Sequence, residues 1–358
     1  MYAARLAASI LEELVSVYSP TFHEAEAARR LVELGWELGF HEAYIDPAGN
    51  VRLVKYPERG EPLGGLGGRI ALVSHIDTVP GWVEPSSPGG SVVRGRGAVD
   101  AKAPLSSMVA AAALYRPRNR VVEVVAAVGE EGPSHGAWYL VESGWRSHAT
   151  IIGEPTNDTG VAIGYRGGCR LRVECLGEPG HSSSPWLYRS ACSMAVEAYQ
   201  ALEALSGSGV DGYTLTVTRM CCGAGGNVVA EEAELIVDAR IPIGGSVEEL
   251  LERVSAALPS GCEARRASER CLPPVRVPVS SPAPRALVRA LLRLGVKPRP
   301  VIKAGTSDMN ILYRVSGSIA AYGPGRSELS HTRYEEVTLE ELGLAVNVYL
   351  EALGELDG

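Results

Sequence analysis

A chain of 358 residues, 46% hydrophobic and 21% charged, has ample material for a buried core and the length of about two domains. Its net charge of −8 argues against a nucleic-acid-binding surface, and no apolar run reaches the ~18–20 residues that span a bilayer. The seven cysteines are an odd number with no CxxC pair, which indicates neither a zinc knuckle nor a secreted disulfide framework.

All seven lie between Cys169 and Cys271, and buried free thiols are their expected state. Oxidation within Cys221–Cys222 or Cys262–Cys271 is the alternative, since intracellular disulfides occur in thermophiles. Gln200 is the single glutamine and Arg far outnumbers Lys, a pattern that fits a heat-adapted source.

In chain order, MYAARLAASILEELVSVYS places Leu6, Ile10, Leu14 and Val17 at helical spacing, interrupted by Glu12 and Glu13. It therefore reads as an amphipathic helix over about 3–18 and not as a signal peptide, and the cytoplasm is the expected location. After Ser19-Pro20, Thr21 and Glu24 have the spacing of a capping box for a second helix over about 22–39. Strands are expected at 43–54, 69–76, 121–128 and 149–152, with helices at 103–115 and 135–143 between them. Such alternation predicts an α/β fold with a mostly parallel sheet covered on both faces.

From about residue 160 the pattern changes to strands at 161–176, 213–220 and 228–241, with helices near 186–205 and 246–257. That is the order of a small α+β layer on an antiparallel sheet. After the proline-rich CLPPVRVPVSSPAP the first pattern returns: a helix over 283–295, strands near 299–303 and 317–322, and a last helix over 338–353. The expected organisation is a discontinuous catalytic domain, 1–160 plus 276–358, interrupted by a second domain at 161–275.

Sites in open α/β sheets form beyond the carboxyl ends of the strands. The strand RIALVS runs into His75 and Asp77, which share a strand face, so the carboxylate can bond the imidazole as a metal-bound histidine usually requires. GRGAVDAKAP brings Asp100 to a helix start, where alone it would read as an N-cap. GEEG adds Glu130 and Glu131, IIGEP adds Glu154, and SELSHTRYEEV adds His331. Each residue alone is unremarkable. Together they form a set of imidazoles and carboxylates without thiolate, which suits Zn²⁺, Co²⁺ or Mn²⁺ in a catalytic site.

The ordered segments SHIDTVPG, GRGAVDAKAP, GEEG, GEPT, GEPGHSSSP and LSHTRYEEV resemble the co-catalytic metallopeptidase family that includes acetylornithine deacetylase, succinyl-diaminopimelate desuccinylase and carboxypeptidase G. The resemblance spans nearly the whole chain. It implies a catalytic domain holding two divalent ions, Zn²⁺ or Co²⁺, and an inserted α+β, ferredoxin-like domain serving as lid and homodimer surface. It further implies that Asp100 bridges the two ions, with His75 and Glu154 completing one site and Glu131 and His331 the other. Glu130 would be the general base and Asp77 the orienter of His75. His181, in GEPGHSSSP, would stabilise an oxyanion, commonly in the partner subunit's site, while Asn227 and Arg240 would contact substrate.

Three stretches, IGYRGGCRLRVECLGEPGHSSSP, KAGTSDMNIL and YGPGRSELSHTRYEEV, are similar to the lysine-biosynthesis branch of that family. That branch releases lysine or ornithine from the C-terminal glutamate of a small acidic carrier protein, LysW. By this resemblance Gly305, Thr306, Ser307 and Asp308, with Gly323-Pro324-Gly325, shape the amino-acid pocket, although Asp308 equally suits a helix N-cap. Arg166, Arg170, Arg172 and Arg189 are candidates for docking the acidic carrier, and equally for a solvated strand and helix face. An N-acetyl-lysine or N-acetylornithine deacetylase or a dipeptidase is the enzymatic alternative, and a non-catalytic metal-binding module the outside one. Glu130 argues against a mere binder, which needs ligands but no base. The sequence departs from the family pattern at DAKAP, where many members have DxKG, and at Thr332-Arg333-Tyr334-Glu335, where many have a proline and an acidic residue.

Overall fold

Runs of Val, Ile and Ala with no polar alternation form the middle strands of the first sheet, as they must where helices cover both faces. The computed structural model describes residues 1–58, 68–223, 225–268 and 270–358. Two units emerge: one of Met1–Ile163, Val277–Val301 and Ser307–Gly358, the other of Gly164–Arg276 and Ile302–Thr306.

The first unit begins with helices α1 (Tyr2–Val15) and α2 (Ala25–Glu37), then strands β1 (Glu42–Ile45), β2 (Val51–Lys55), β3 (Arg69–His75) and β4 (Val92–Arg94). Helix α3 (Lys102–Leu114), β5 (Val121–Ala127), α4 (His135–Glu142), β6 (Ala149–Gly153) and β7 (Gly160–Tyr165) follow. The second unit carries β8 (Gly167–Leu176), α5 (Ala191–Leu205), β9 (Thr214–Cys222), β10 (Glu232–Ile241), α6 (Val247–Ala257), β11 (Cys262–Arg266) and β12 (Val275–Arg276). The chain closes with α7 (Pro282–Arg293), β13 (Arg299–Lys303), α8 (Met309–Leu312), β14 (Ile319–Ala321), β15 (Glu336–Thr338) and α9 (Leu339–Asp357).

In the first sheet β1, β2, β5, β3, β6, β14 and β7 lie in that order. The β5-β3-β6-β14 centre is parallel and the flanking pairs are antiparallel. Helix α3 is buried from Lys102 to Ala112 and packs against both α1 and α9. An Ala-rich helix that is apolar all round has no face to give to water.

The expected strand at 43–54 is a hairpin, because Asp46 accepts from the Ala48 and Asn50 backbone N–H groups and turns the chain. The expected capping box at Thr21 does not form. Helix α2 starts at Ala25 without a side-chain cap, and the Thr21 hydroxyl instead donates to Asp77 at 2.8 Å. A capping box does start α9, between Thr338 and Glu341.

In the second unit the strand order is β11-β8-β10-β9, antiparallel throughout, with α5 and α6 packed on one face. Leu171, Val173, Leu235, Val237 and Met194 form the centre of its core. The cysteines depart from expectation: Cys169–Cys271, Cys175–Cys262 and Cys192–Cys222 are disulfides, and Cys221 is free and exposed. The physical reason is strand register. Strand β11, which the sequence pattern did not reveal, sets Cys262 directly opposite Cys175. Neighbours such as Cys221 and Cys222 in one strand point to opposite faces, so they do not pair with each other; Cys222 joins Cys192 and Cys221 stays free. Among the described residues no helix is long and apolar enough to cross a membrane.

Candidate metal centre

Strand β3 ends on His75, which is 2% exposed and anchored by its Nδ1, 2.9 Å from the Asp77 backbone carbonyl and 3.5 Å from the Asp77 carboxylate. Its Nε2 faces Asp100 Oδ1 at 3.3 Å and Glu130 Oε2 at 3.9 Å. Asp77 does more than orient the imidazole. Its carboxylate also accepts from the backbone N–H of Glu130 and of Glu131, each at 3.1 Å, and so fixes the turn that carries both glutamates. Gly129 begins this turn at φ +75°, and a Cβ there would lie 2.2 Å from the His135 ring.

His331 completes the rim, with its Nε2 2.7 Å from Glu131 Oε1 and 3.4 Å from Asp100 Oδ2. Ligand atoms of His75, Asp100 and Glu131 all lie within 4.8 Å of one another. Glu154 is buried just past β6, near enough to push the Glu130 carboxyl up. Gly323 lies against it, and a Cβ at that position would sit 2.7 Å from the Glu154 carbonyl oxygen, so only glycine fits.

The electrostatics are those of a surplus of carboxylates. Burial pushes Glu130 well above the usual carboxylate range, against the pull of His75, and Glu154, Asp308 and Glu131 push the same way. Burial alone would depress His75, but Asp100 and Asp77 raise its imidazole well above the ordinary value. Hydrogen bonds to Asp100 and Glu131 raise His331 to about 10. Two imidazoles facing several carboxylates, with no thiolate, fit a divalent metal cation.

Three further residues build the site without having stood out as functional in the sequence. Glu335 is buried and accepts from Arg96 and from the backbone of Gly97, Val99 and Asp100. Lys102 is buried with its ammonium on the Leu14 and Val17 carbonyls, and burial pulls it down to about 7. The third is Arg96 itself, which also donates to the Gly81 and Thr332 carbonyls. Asp308 stands at the start of α8 but makes no capping hydrogen bond, and burial pushes it up to about 7. Next to it, Ser307 is buried and turns the backbone with Asn310.

In the second unit His181 is exposed, and its Nε2 lies 3.4 Å from Asn227 Nδ2. The pair is held by strand-like contacts, Ser182 N–H to the Asn227 carbonyl and Val229 N–H to the Gly180 carbonyl. Arg240 donates to Thr306 and Asp238, while a Cβ on Gly305 would meet nothing within 4 Å.

The four arginines considered for carrier docking do not form one free patch. Arg166 is buried, its guanidinium spent on the carbonyls of Gly209, Gly212 and Arg240 and on the Thr214 hydroxyl. Such a planar fork of donors suits a cage of oxygens better than a surface. Arg172 pairs with Glu174 and Glu234, and Arg189 with Glu197, which leaves Arg170 as the exposed member outside those pairs.

Imidazoles and carboxylates converge at the strand ends of an α/β sheet, and the chain belongs to peptidase family M20/M25/M40, whose family model matches residues 71–355. It is a metal-dependent amide hydrolase. Over 352 residues it is 36% identical to a LysW-lysine/LysW-ornithine hydrolase of Saccharolobus solfataricus, covering 98% of this chain and 96% of that one. Among solved structures, aminopeptidase PepT of Bacillus cereus matches with a TM-score of 0.81 at 22% identity, over 99% of both chains. The YXEP protein of Bacillus subtilis, described as a dinuclear metal binding peptidase from the M20 family, matches with a TM-score of 0.73 at 16% identity over 98% of both.

Proposed function

We propose that the chain releases lysine or ornithine by hydrolysing the amide that joins it to the C-terminal glutamate of the carrier protein LysW, in lysine and arginine biosynthesis. One observation carries the reading: His75, Asp100 and Glu131 converge within 4.8 Å, with Glu130 Oε2 3.9 Å from His75, in a chain 36% identical to a hydrolase of that name. His75, Asp100 and Glu154 would hold one divalent ion, and Asp100, Glu131 and His331 a second, with Zn²⁺ or Co²⁺ suited to both. When bound, such a pair acidifies water and polarises a carbonyl oxygen.

The other steps belong to the protein's own groups. Glu130 takes a proton from the attacking water and passes it to the leaving amine. His181, whose Nδ1 accepts from the Ser183 N–H and so leaves the proton on Nε2, donates from Nε2 to the oxyanion, a contribution of ~3 kcal/mol. Arg240 grips a substrate carboxylate with its fork, and Gly305, Thr306, Ser307 and Gly323 line the amino-acid pocket. The second unit serves as lid and as the dimerisation surface of a homodimer.

The deciding experiment assays metal-reconstituted protein against carrier-linked lysine, carrier-linked ornithine, N-acetyl-lysine and N-acetylornithine. Carrier-linked substrates should win by at least tenfold in kcat/KM. Equal rates would identify a plain deacetylase, and ion binding without turnover of any substrate a binding module.

A further inference from the structure

The two sides of the metal centre are built differently. His75 belongs to a central strand and is 2% exposed. His331 sits in a loop at φ +65°, and its side chain is 49% exposed. What brings its loop to Asp100 is a ribbon in which β15 pairs antiparallel with β4, setting Glu336 opposite Arg94.

At the end of that ribbon stands Glu335, four residues past His331 and 1% exposed. Its carboxylate accepts from the Arg96 guanidinium at 2.6 Å and from the backbone N–H groups of Gly97, Val99 and Asp100 at 3.1, 3.1 and 3.3 Å. Arg96 also donates to the Thr332 carbonyl at 2.9 Å and the Gly81 carbonyl at 2.8 Å. One carboxylate therefore gathers the loop that ends on Asp100 and ties it to the segment that begins at His331. The Arg96 bond is short and charge-assisted, and the three backbone bonds fix the turn from which the Asp100 side chain projects.

We propose that Glu335 is a positioning residue for the His331 side of the centre and sets the affinity of the second divalent ion. This rests on the two-ion reading given above. Its logic is that His75 holds its place through β3, whereas His331 and the Asp100 loop hold theirs through each other.

The test titrates the full ion-free chain with Zn²⁺ in competition with a chromophoric chelator, and follows spin coupling in the Co²⁺-loaded form. The wild type should take up two ions. Glu335→Gln, which keeps the shape but removes the charge, should weaken the second ion by about 10- to 100-fold, the usual loss when a ligand's support is removed, and the first ion much less, because both share Asp100 but His331 serves only the second. Spin coupling should disappear at Co²⁺ levels that saturate the wild type. Glu335→Asp should weaken the second ion less, in the same direction, and carries the measurement if Glu335→Gln does not fold. Two wild-type affinities in the variants, or equal weakening of both ions, would reduce Glu335 to a structural role even if the melting temperature falls. A wild-type chain that binds fewer than two ions would take down the two-ion reading and the clamp together, whereas a failure of the variants alone sinks only the clamp.

Discussion

Glu130 and Glu131 are neighbours that meet different surroundings. Glu131 reaches His331 at 2.7 Å, while Glu130 is turned toward His75 with its nearest oxygen 3.9 Å away. Glu130→Gln should lower kcat by about 10²–10⁴ with bound metal unchanged by elemental analysis. Loss of metal along with activity would make Glu130 a ligand and leave the base unassigned. Away from the centre, burial and then Glu341 raise the Asp158 carboxyl from 3.8 to about 6. The fold therefore favours the uncharged acid, a stabilisation fully present below pH 3.8 and lost as pH rises through about 6. Asp158→Asn should raise the melting temperature at pH 7–8 and have no advantage below about pH 4; an equal gain at both would contradict the assignment. These residues were legible to different degrees. The imidazoles and carboxylates at strand ends announce themselves by type and place, whereas Asp158 looks like any loop aspartate until its neighbours are known.

Long apolar elements were easy to read because their periodicity is local. The short ribbon of β4 and β15 was not. Each strand has three residues and gains meaning only from a partner more than two hundred positions away. The same blindness hid β11, and with it the reason Cys175 and Cys262 pair. At Thr21 the local signal pointed elsewhere, since a hydroxyl spaced for a helix cap is held more strongly by a buried carboxylate. Helix α9 ends on a comparable anchor. Asp357 is buried and accepts from the backbone of Arg118, Asn119 and Arg120 and from the Tyr115 hydroxyl. Asp357→Ala should destabilise the ion-free chain by about 3 kcal/mol or more in urea unfolding, since each buried unpaired donor costs roughly 1–3 kcal/mol. A change under 1 kcal/mol would mean that water replaces the carboxylate.

At the scale of the molecule, two separate apolar cores stand behind the two units. All three disulfides lie in the second, closing chain lengths of 30 to 102 residues. Each native cross-link of this kind is typically worth ~2–4 kcal/mol. Calorimetry with and without a strong reductant should therefore move the second unit's transition down while the first stays within a degree or two. A single transition untouched by reductant would show that the cross-links add nothing. The α/β class was readable from the alternation of elements, but not the placement of residues 302–306 with the second unit, which depends on contacts that no local pattern encodes.

That division has a consequence for how the chain is made. The second unit is nearly continuous from Gly164 to Arg276, so it leaves the ribosome almost whole. The first still lacks β14, which slots between β6 and β7 in the middle of its sheet, and lacks His331. At ~5–20 residues per second, the nascent chain spends several seconds with a finished insert and an open β6 edge. Until β14 and the loop behind it emerge, the cluster of His75, Asp100 and Glu131 is without the imidazole of His331.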